Sequence, residues 1–336
     1  MLPDSIGIKH YFRRDNMDLV QDLQKTVIET ERLLESNKEW IKRYAEYASE
    51  ILTIQNAIKG ASGLFNECEP LYVYSSVSRA TNKNITFDLR YRGQSVADII
   101  YKNGELYLKT KKNTYNFYKI EGGWEKEWNS KEAKLFRSAF TKYPCRNDEG
   151  KKNEEHRFES ALLTELSKEK GDDKILKYIQ PVRLAKSRFQ MPTPFKASKG
   201  KPVYAKHKGG GIDLLCRTKH GSKNILNIFE LKDEYENPIN VLHQAVIYSV
   251  FIHKLLKTPE VGSSGWWKLF GFGKVPDTTK PLRINAVVAM PKDEKNDKCF
   301  AKEEINVDGG IIQLHYFYFS LPTDKDKIES IETSLF

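Results

Sequence analysis

Residues 209–232 restrict the folds open to this chain more than any other stretch. Two apolar runs, Ile212-Asp213-Leu214-Leu215-Cys216 and Ile225-Leu226-Asn227-Ile228-Phe229, flank Lys219-His220-Gly221-Ser222-Lys223. A two-residue loop with glycine first is a type II′ hairpin turn, whose twist matches that of the strands it joins. With Gly221-Ser222 as that loop, His220 pairs with Lys223 and Asp213 falls opposite Glu230. Directly opposed residues share a face, with Cβ atoms about 5 Å apart. Lys232 lies two residues past Glu230, so it shares that face and stands opposite Gly211.

Two carboxylates opposed on a hairpin repel each other. Both interrupt apolar runs, where an unpaired carboxylate is costly. A hard cation between them turns the repulsion into a ligand set, and oxygen donors without Cys or His suit Mg²⁺ or Mn²⁺. A lysine nearby can orient or help deprotonate a metal-bound water, and Gly211 leaves open space beside it. The arrangement serves metal-assisted phosphodiester hydrolysis. The competing account is a surface salt bridge, because Asp and Glu-x-Lys arise by chance in a chain that is 30% charged. A surface pair would not need burial.

The flanking segments carry further candidates. Asn237-Pro238 is a helix start, with Asn as N-cap and Pro at the first helical position. The helix runs through Val241 to Ile252 and puts Gln244 and Tyr248 one turn apart on one face. Either they serve a site, or Gln244 satisfies a loop carbonyl while Tyr248 packs in the core. Upstream, Glu154 to Leu166 reads as an amphipathic helix in which Glu159 sits beside the apolar stripe. Glu159 either reaches the metal or is an ordinary exposed helix carboxylate.

Taken in order, the helix with Glu159, the Gly-Gly-Ile-Asp213 strand, Glu230-Leu-Lys232 and Gln244-x-x-x-Tyr248 resemble the PD-(D/E)XK nuclease superfamily. The Gln-x-x-x-Tyr element is similar to its RecB-like branch, which includes exonuclease domains of recombination helicases. The resemblance covers about residues 150–290, and Gly211-Ile212 stands where a proline often precedes the first acid. It implies metal ligation by Glu159, Asp213, Glu230 and the Leu231 carbonyl, with Glu159 a direct or water-mediated ligand. It implies a catalytic Lys232, with Gln244 and Tyr248 supporting the site or the substrate backbone. The implied cofactor is Mg²⁺, with Mn²⁺ able to substitute, and the implied partner is nucleic acid, DNA first.

Composition agrees with that reading. The formal net charge of +10 and the isoelectric point near 9.1 favour a polyanionic partner. Cys68, Cys145, Cys216 and Cys299 form no C-x-x-C pair, which argues against zinc and against the four-cysteine iron–sulfur cluster of some RecB-like nucleases. The pattern fits a reducing cytosol. The first residues lack the charged start and apolar run of a signal peptide, and no apolar stretch is expected to span a membrane. Gly273-Lys274 is followed by Val275, so no Walker A motif is present.

The expected fold class is α+β or α/β. A helical segment and a small antiparallel β domain occupy 1–150, a PD-(D/E)XK-like mixed sheet flanked by helices occupies 151–322, and 323–336 is a polar, frayed tail. Residues 15–58 read as helix, divided at the Ser36-x-x-Glu39 capping box. That helical pair either packs on its own domain or forms a homodimer or partner interface. Strands are expected at 71–74, 85–91, 96–101, 106–109 and 115–118, with Lys102-Asn103-Gly104-Glu105 as a hairpin turn. Arg90, Arg92, Lys109, Lys111 and Lys112 interleave with tyrosines there, a mixture that can follow a nucleic-acid backbone or simply coat a half-buried sheet. Residues 130–150 read as a short helix and a polar linker. Residues 258–281 read as a loop insertion, with Trp266 and Trp267 either meeting substrate or partner or folding back on the core. Buried strands are expected at 283–290 and 311–319. The rivals to a nuclease are an idle nuclease fold that only binds nucleic acid, and a partner-recruiting subunit.

Overall fold

The computed structural model describes residues 16–63, 70–76, 85–112, 114, 120–141, 154–168, 173–207, 209–220, 223–233, 236–277, 279–294, 296–322 and 327–336. The fold is α+β, with mixed parallel and antiparallel sheets. Helices α1 (Asn16–Ser36) and α2 (Glu39–Gly63) part where the capping box lies. Leu19, Leu23, Val27 and Leu34 bury one stripe of α1, and Trp40, Tyr44, Ala48 and Ile51 bury one stripe of α2. Both stripes face the chain's own core. Tyr44 and Trp40 meet Phe251 edge-on, with ring centroids 4.8 and 5.9 Å away.

The first sheet is built on β1 (Leu71–Ser76), β2 (Ile85–Tyr91), β3 (Gln94–Lys102), β4 (Glu105–Thr110) and β5 (Glu125–Glu127), all antiparallel. Asn103 and Gly104, at φ 53° and 84°, make the expected turn and pair Lys102 with Glu105. Arg92 and Gly93, at φ 48° and 78°, make a second such turn between the expected strands. Helix α3 (Lys131–Thr141) follows. The strand expected at 115–118 and the linker at 146–153 lie outside the described residues. Arg90 and Lys111 turn inward to ion pairs with Asp88, so they do not line a solvent face.

Helix α4 (Glu154–Ser167) leads into the second half, and β6 (Ile179–Pro181), β7 (Arg183–Leu184) and β8 (Ser187–Pro192) follow it. Strand β8 runs parallel to β1, and β11 (Gly211–Ile212) adds beyond β8, so the C-terminal half completes the N-terminal sheet. Strands β9 (Phe195–Lys196) and β10 (Val203–Tyr204) form a small ribbon. One apolar cluster runs from Leu19 to Tyr318 through both halves. A second cluster gathers α4 residues with Tyr74 of β1.

The second sheet has the order β15-β16-β14-β13-β12-β6, with β17 beside β16. It comprises β12 (Leu214–His220), β13 (Lys223–Leu231), β14 (Leu282–Pro291), β15 (Glu304–Val307), β16 (Gly310–Ser320) and β17 (Ser330–Thr333). Strands β13, β14 and β16 are parallel. Such strands are buried on both faces, which accounts for their unbroken apolar runs. Helix α5 (Pro238–Lys257) makes the crossover from β13 to β14 and covers one face, while α4 covers the other. Asn237 caps α5, accepting from the Ile239 amide at 2.9 Å.

Three expectations need correction. Residues 258–281 are no plain loop: α6 (Ser263–Leu269) buries Trp266 and Trp267 against α2 and the core. The tail is not frayed over its described part, because β17 pairs with β16 while Ile328 and Leu335 are buried. Helix α5 is long and apolar enough to cross a membrane, contrary to the expectation that no stretch would be, although here it is 78% buried as the central helix.

Candidate active site

The expected pairing of β12 with β13 holds: His220 faces Lys223 and Leu214 faces Phe229. Gly221 and Ser222 themselves lie outside the described residues. The ladder stops one pair short of the acids. Asp213 sits at a bend between β11, which belongs to the first sheet, and β12, which belongs to the second. Its carboxylate accepts from the Leu231 amide at 2.8 Å, the N–H that the register would have handed to Ile212. Gly211 faces Pro192 of β8 and not Lys232, which corrects the expected pairing. A chain crossing from one sheet to another must leave one ladder, and the Asp213 side chain takes over a backbone bond given up in doing so.

Glu230, on β13, is 1% exposed. Its Oε1 pairs with Lys232 Nζ at 3.1 Å, and its Oε2 is buried with no hydrogen-bond partner. Lys232 Nζ also donates to the Leu231 carbonyl at 2.8 Å and to Glu155 Oε2 at 3.2 Å. A surface salt bridge between exposed groups is therefore not what this chain builds. Glu159 is 5% exposed, and so is no ordinary surface carboxylate. It faces Arg90 at 3.9 Å and His156 at 3.7 Å.

Charge and burial set the protonation of this cluster. Burial pushes Asp213 up to about 6, against the pull of Lys232 and the Leu231 amide. Burial, then the neighbouring Asp213, pushes Glu230 well above the usual carboxylate range. Burial opposes the Lys232 ammonium, but Glu230, Asp213 and Glu155 outweigh it and hold it charged. The hydrogen bond to Glu159 raises His156. Lys232 thus bridges carboxylates that would otherwise repel.

Tyr248 is 2% exposed and its hydroxyl, raised first by burial and then by Glu230, accepts from Gln244 Nε2 at 3.4 Å. Among the described residues, Gln244 hydrogen-bonds Tyr248 and neither acid. A Cβ on Gly210 would lie 2.6 Å from the Tyr248 hydroxyl, so the glycine run lets backbone press against it. Gly210→Ala should lower stability by about 1–3 kcal/mol through overpacking. Denaturant melts would show a lower midpoint at constant slope, and Tyr248→Phe in the same chain should recover part of the loss. Additive losses in the double variant would mean that the two residues do not press on each other.

Sequence reasoning did not place Glu155, His156 or Arg90 at this site; Arg90 was read instead as part of a basic, tyrosine-rich sheet face. Glu155 stands one turn before Glu159, and that spacing was a legible signal. Arg90 arrives from β2 of the first sheet, held by Asp88 at 2.7 Å and Gln190 at 2.7 Å, with its guanidinium over the Tyr74 ring at 4.2 Å. No local pattern announces it.

Among the described residues, no group of three or more His, Cys, Asp or Glu side chains is placed to hold a metal ion. The fit to a hard cation rests instead on the orphaned Glu230 Oε2, its interaction with Asp213, and the adjoining Leu231 carbonyl. These are oxygen donors, the chemistry Mg²⁺ prefers. In comparisons with known proteins, the chain matches no family model, no curated protein and no solved structure.

Proposed function

We propose that this chain is a metal-dependent nuclease that hydrolyses phosphodiester bonds, with DNA as its first substrate. The observation that carries this reading is the half-buried Asp213 and the buried Glu230 beside Lys232, with one Glu230 carboxylate oxygen left unpartnered. Such an arrangement is costly for folding unless a cation or reaction uses it. The net charge of +10 suits a polyanionic substrate.

Asp213, Glu230 and the Leu231 carbonyl would hold Mg²⁺, and Glu159 would join directly or through water. Bound there, the ion supplies Lewis acidity and a more acidic water. Lys232 is a donor in this state: its ammonium holds its proton, so it can orient a water or a phosphate oxygen but cannot take a proton. Tyr248, held by Gln244, keeps its hydroxyl protonated close enough to feel the charge of Glu230, and would support the site from α5. Arg90 holds the position of Glu159 and offsets part of the local negative charge.

The test is a gel assay of linear and closed circular DNA with Mg²⁺, Mn²⁺ or Ca²⁺. Cleavage is expected with Mg²⁺ and Mn²⁺ and little with Ca²⁺. The circular substrate separates endonucleolytic from end-dependent cutting. Gln244→Ala should slow turnover about 10-fold or more, as losses of supporting residues typically do, with the fold intact by circular dichroism. No cleavage by the unaltered chain under any of these cations would favour an idle fold that only binds.

A further inference from the structure

A cleft of about 470 Å³ lies away from the carboxylates and is lined by five basic residues, Lys168, Lys174, Lys177, Arg183 and Arg217, and by no acidic one. It shares two elements with the site. Ser167, at its rim, is eight residues along α4 from Glu159, about 12 Å of helix. Arg217 is four residues along from Asp213, about 13 Å of extended chain.

Three of the five cations, Lys168, Lys174 and Arg183, have interactions of their own. Lys168 pairs with Glu165, and Lys174 donates to the Leu166 and Ile179 carbonyls at 2.8 and 3.0 Å, closing the end of α4. Arg217 is different. One of its nitrogens donates to the Gly271 carbonyl, but its Nε is buried with no partner. Among the described residues, neither Arg217 nor Lys177 has a carboxylate within ion-pair distance. The Ser167 hydroxyl is also buried without a partner. An orphaned guanidinium N–H and an orphaned hydroxyl at a cleft without acids is the donor set that a tetrahedral oxyanion satisfies.

We infer that this cleft is a phosphate-binding site in which Arg217, Lys177 and Ser167 hold a backbone phosphate of the nucleic acid some distance from the bond being cut. The phosphate chemistry stands on the cleft alone; its source in DNA rests on the nuclease reading. The test is the salt dependence of binding to fluorescein-labelled duplex DNA in chelator, for the unaltered chain and for Lys177→Gln/Arg217→Gln. Each phosphate left without its cation lowers the slope of log K against log salt by about 0.9, so the double variant, which frees one phosphate, should shed about 0.9 from the slope. Arg217→Lys keeps the charge and should retain most of the slope, which separates the removal of charge from damage to the fold. Inorganic phosphate is titrated calorimetrically into both chains in parallel. A reduced DNA slope supports the site with the backbone as source. Phosphate binding that disappears in the variant, at an unchanged DNA slope, supports the site with a small phosphate as source. An unchanged slope together with no phosphate binding to the unaltered chain overturns it. Because all this is read in chelator, an unaltered chain that cuts nothing yet drops in slope on substitution would overturn the nuclease reading and leave the phosphate site standing.

Discussion

Asp213→Asn should abolish DNA cleavage, by about 10³-fold or more, the scale on which loss of a group that stabilises developing charge is felt. The substitution keeps the shape of the side chain and leaves an oxygen that can still accept from the Leu231 amide. The fold should therefore survive, and only the charge is lost. Lys232→Ala should have an effect of similar size by a different route, since it removes the donor that bridges Glu230, Glu155 and the Leu231 carbonyl. Binding should behave oppositely. Affinity for DNA comes from lysine and arginine contacts to phosphate and falls steeply with salt. Without metal the carboxylates oppose a polyanion, so Asp213→Asn should bind DNA at least as tightly as the unaltered chain in chelator. Cleavage surviving both substitutions would place the chemistry elsewhere in the chain. An idle fold gives no cleavage and no difference between variants.

The second large effect is on stability. Asp213 and Glu230 are both held above their ordinary pKa values, chiefly by burial. The folded chain therefore holds protons that the unfolded chain releases. Stability from this pair is fully present below about pH 4 and, for Asp213, is lost as pH rises through about 6. Asp213→Asn or Glu230→Gln removes the penalty. In chelator at pH 7.5 Asp213→Asn should be more stable than the unaltered chain by about 1–2 kcal/mol, a value reduced for the partial exposure of Asp213 and for relaxation, and Glu230→Gln should move stability in the same direction. The difference should shrink toward zero near pH 4. Mg²⁺ at about 100 times its dissociation constant should add ~2.7 kcal/mol to the unaltered chain and much less to the variants. Melting curves across pH, with and without Mg²⁺, read both effects. A variant less stable in chelator than the unaltered chain, with no response to Mg²⁺ in either, would mean that the acids are satisfied as they stand.

In the structure Lys232 is the cation these groups share: its ammonium touches Glu230, Glu155 and the Leu231 carbonyl together. A divalent ion among the acids would compete for some of the same oxygens and release Lys232 toward substrate.

Much of the architecture was legible because it is local. The 3.6-residue stripes of α1 and α2, the Asn237-Pro238 start of α5 and the Asn103-Gly104 turn all depend on neighbours a few residues apart. The hairpin register was legible too, since a two-residue loop fixes every pair behind it. It brought Asp213 near Glu230 and put Lys232 beside them.

What the sequence left undetermined depends on contacts between distant segments. Strands of two or three residues such as β6, β7 and β11 carry too few side chains to show a period, and they exist because a neighbouring edge lends them hydrogen bonds. The departure of Asp213 from the ladder follows from β11 joining β8 in the other sheet. The arrival of Arg90 beside Glu159 needs β2 and α4, well separated in sequence, to be brought together by tertiary packing, in which α4 shares an apolar cluster with Tyr74 of β1, the strand beside β2. Periodicity and turn chemistry determined which face each acid lies on. Only the packing of two sheets around α4 and α5 decided which cations face those acids, because electrostatic partners are chosen by distance in space and not by separation along the chain.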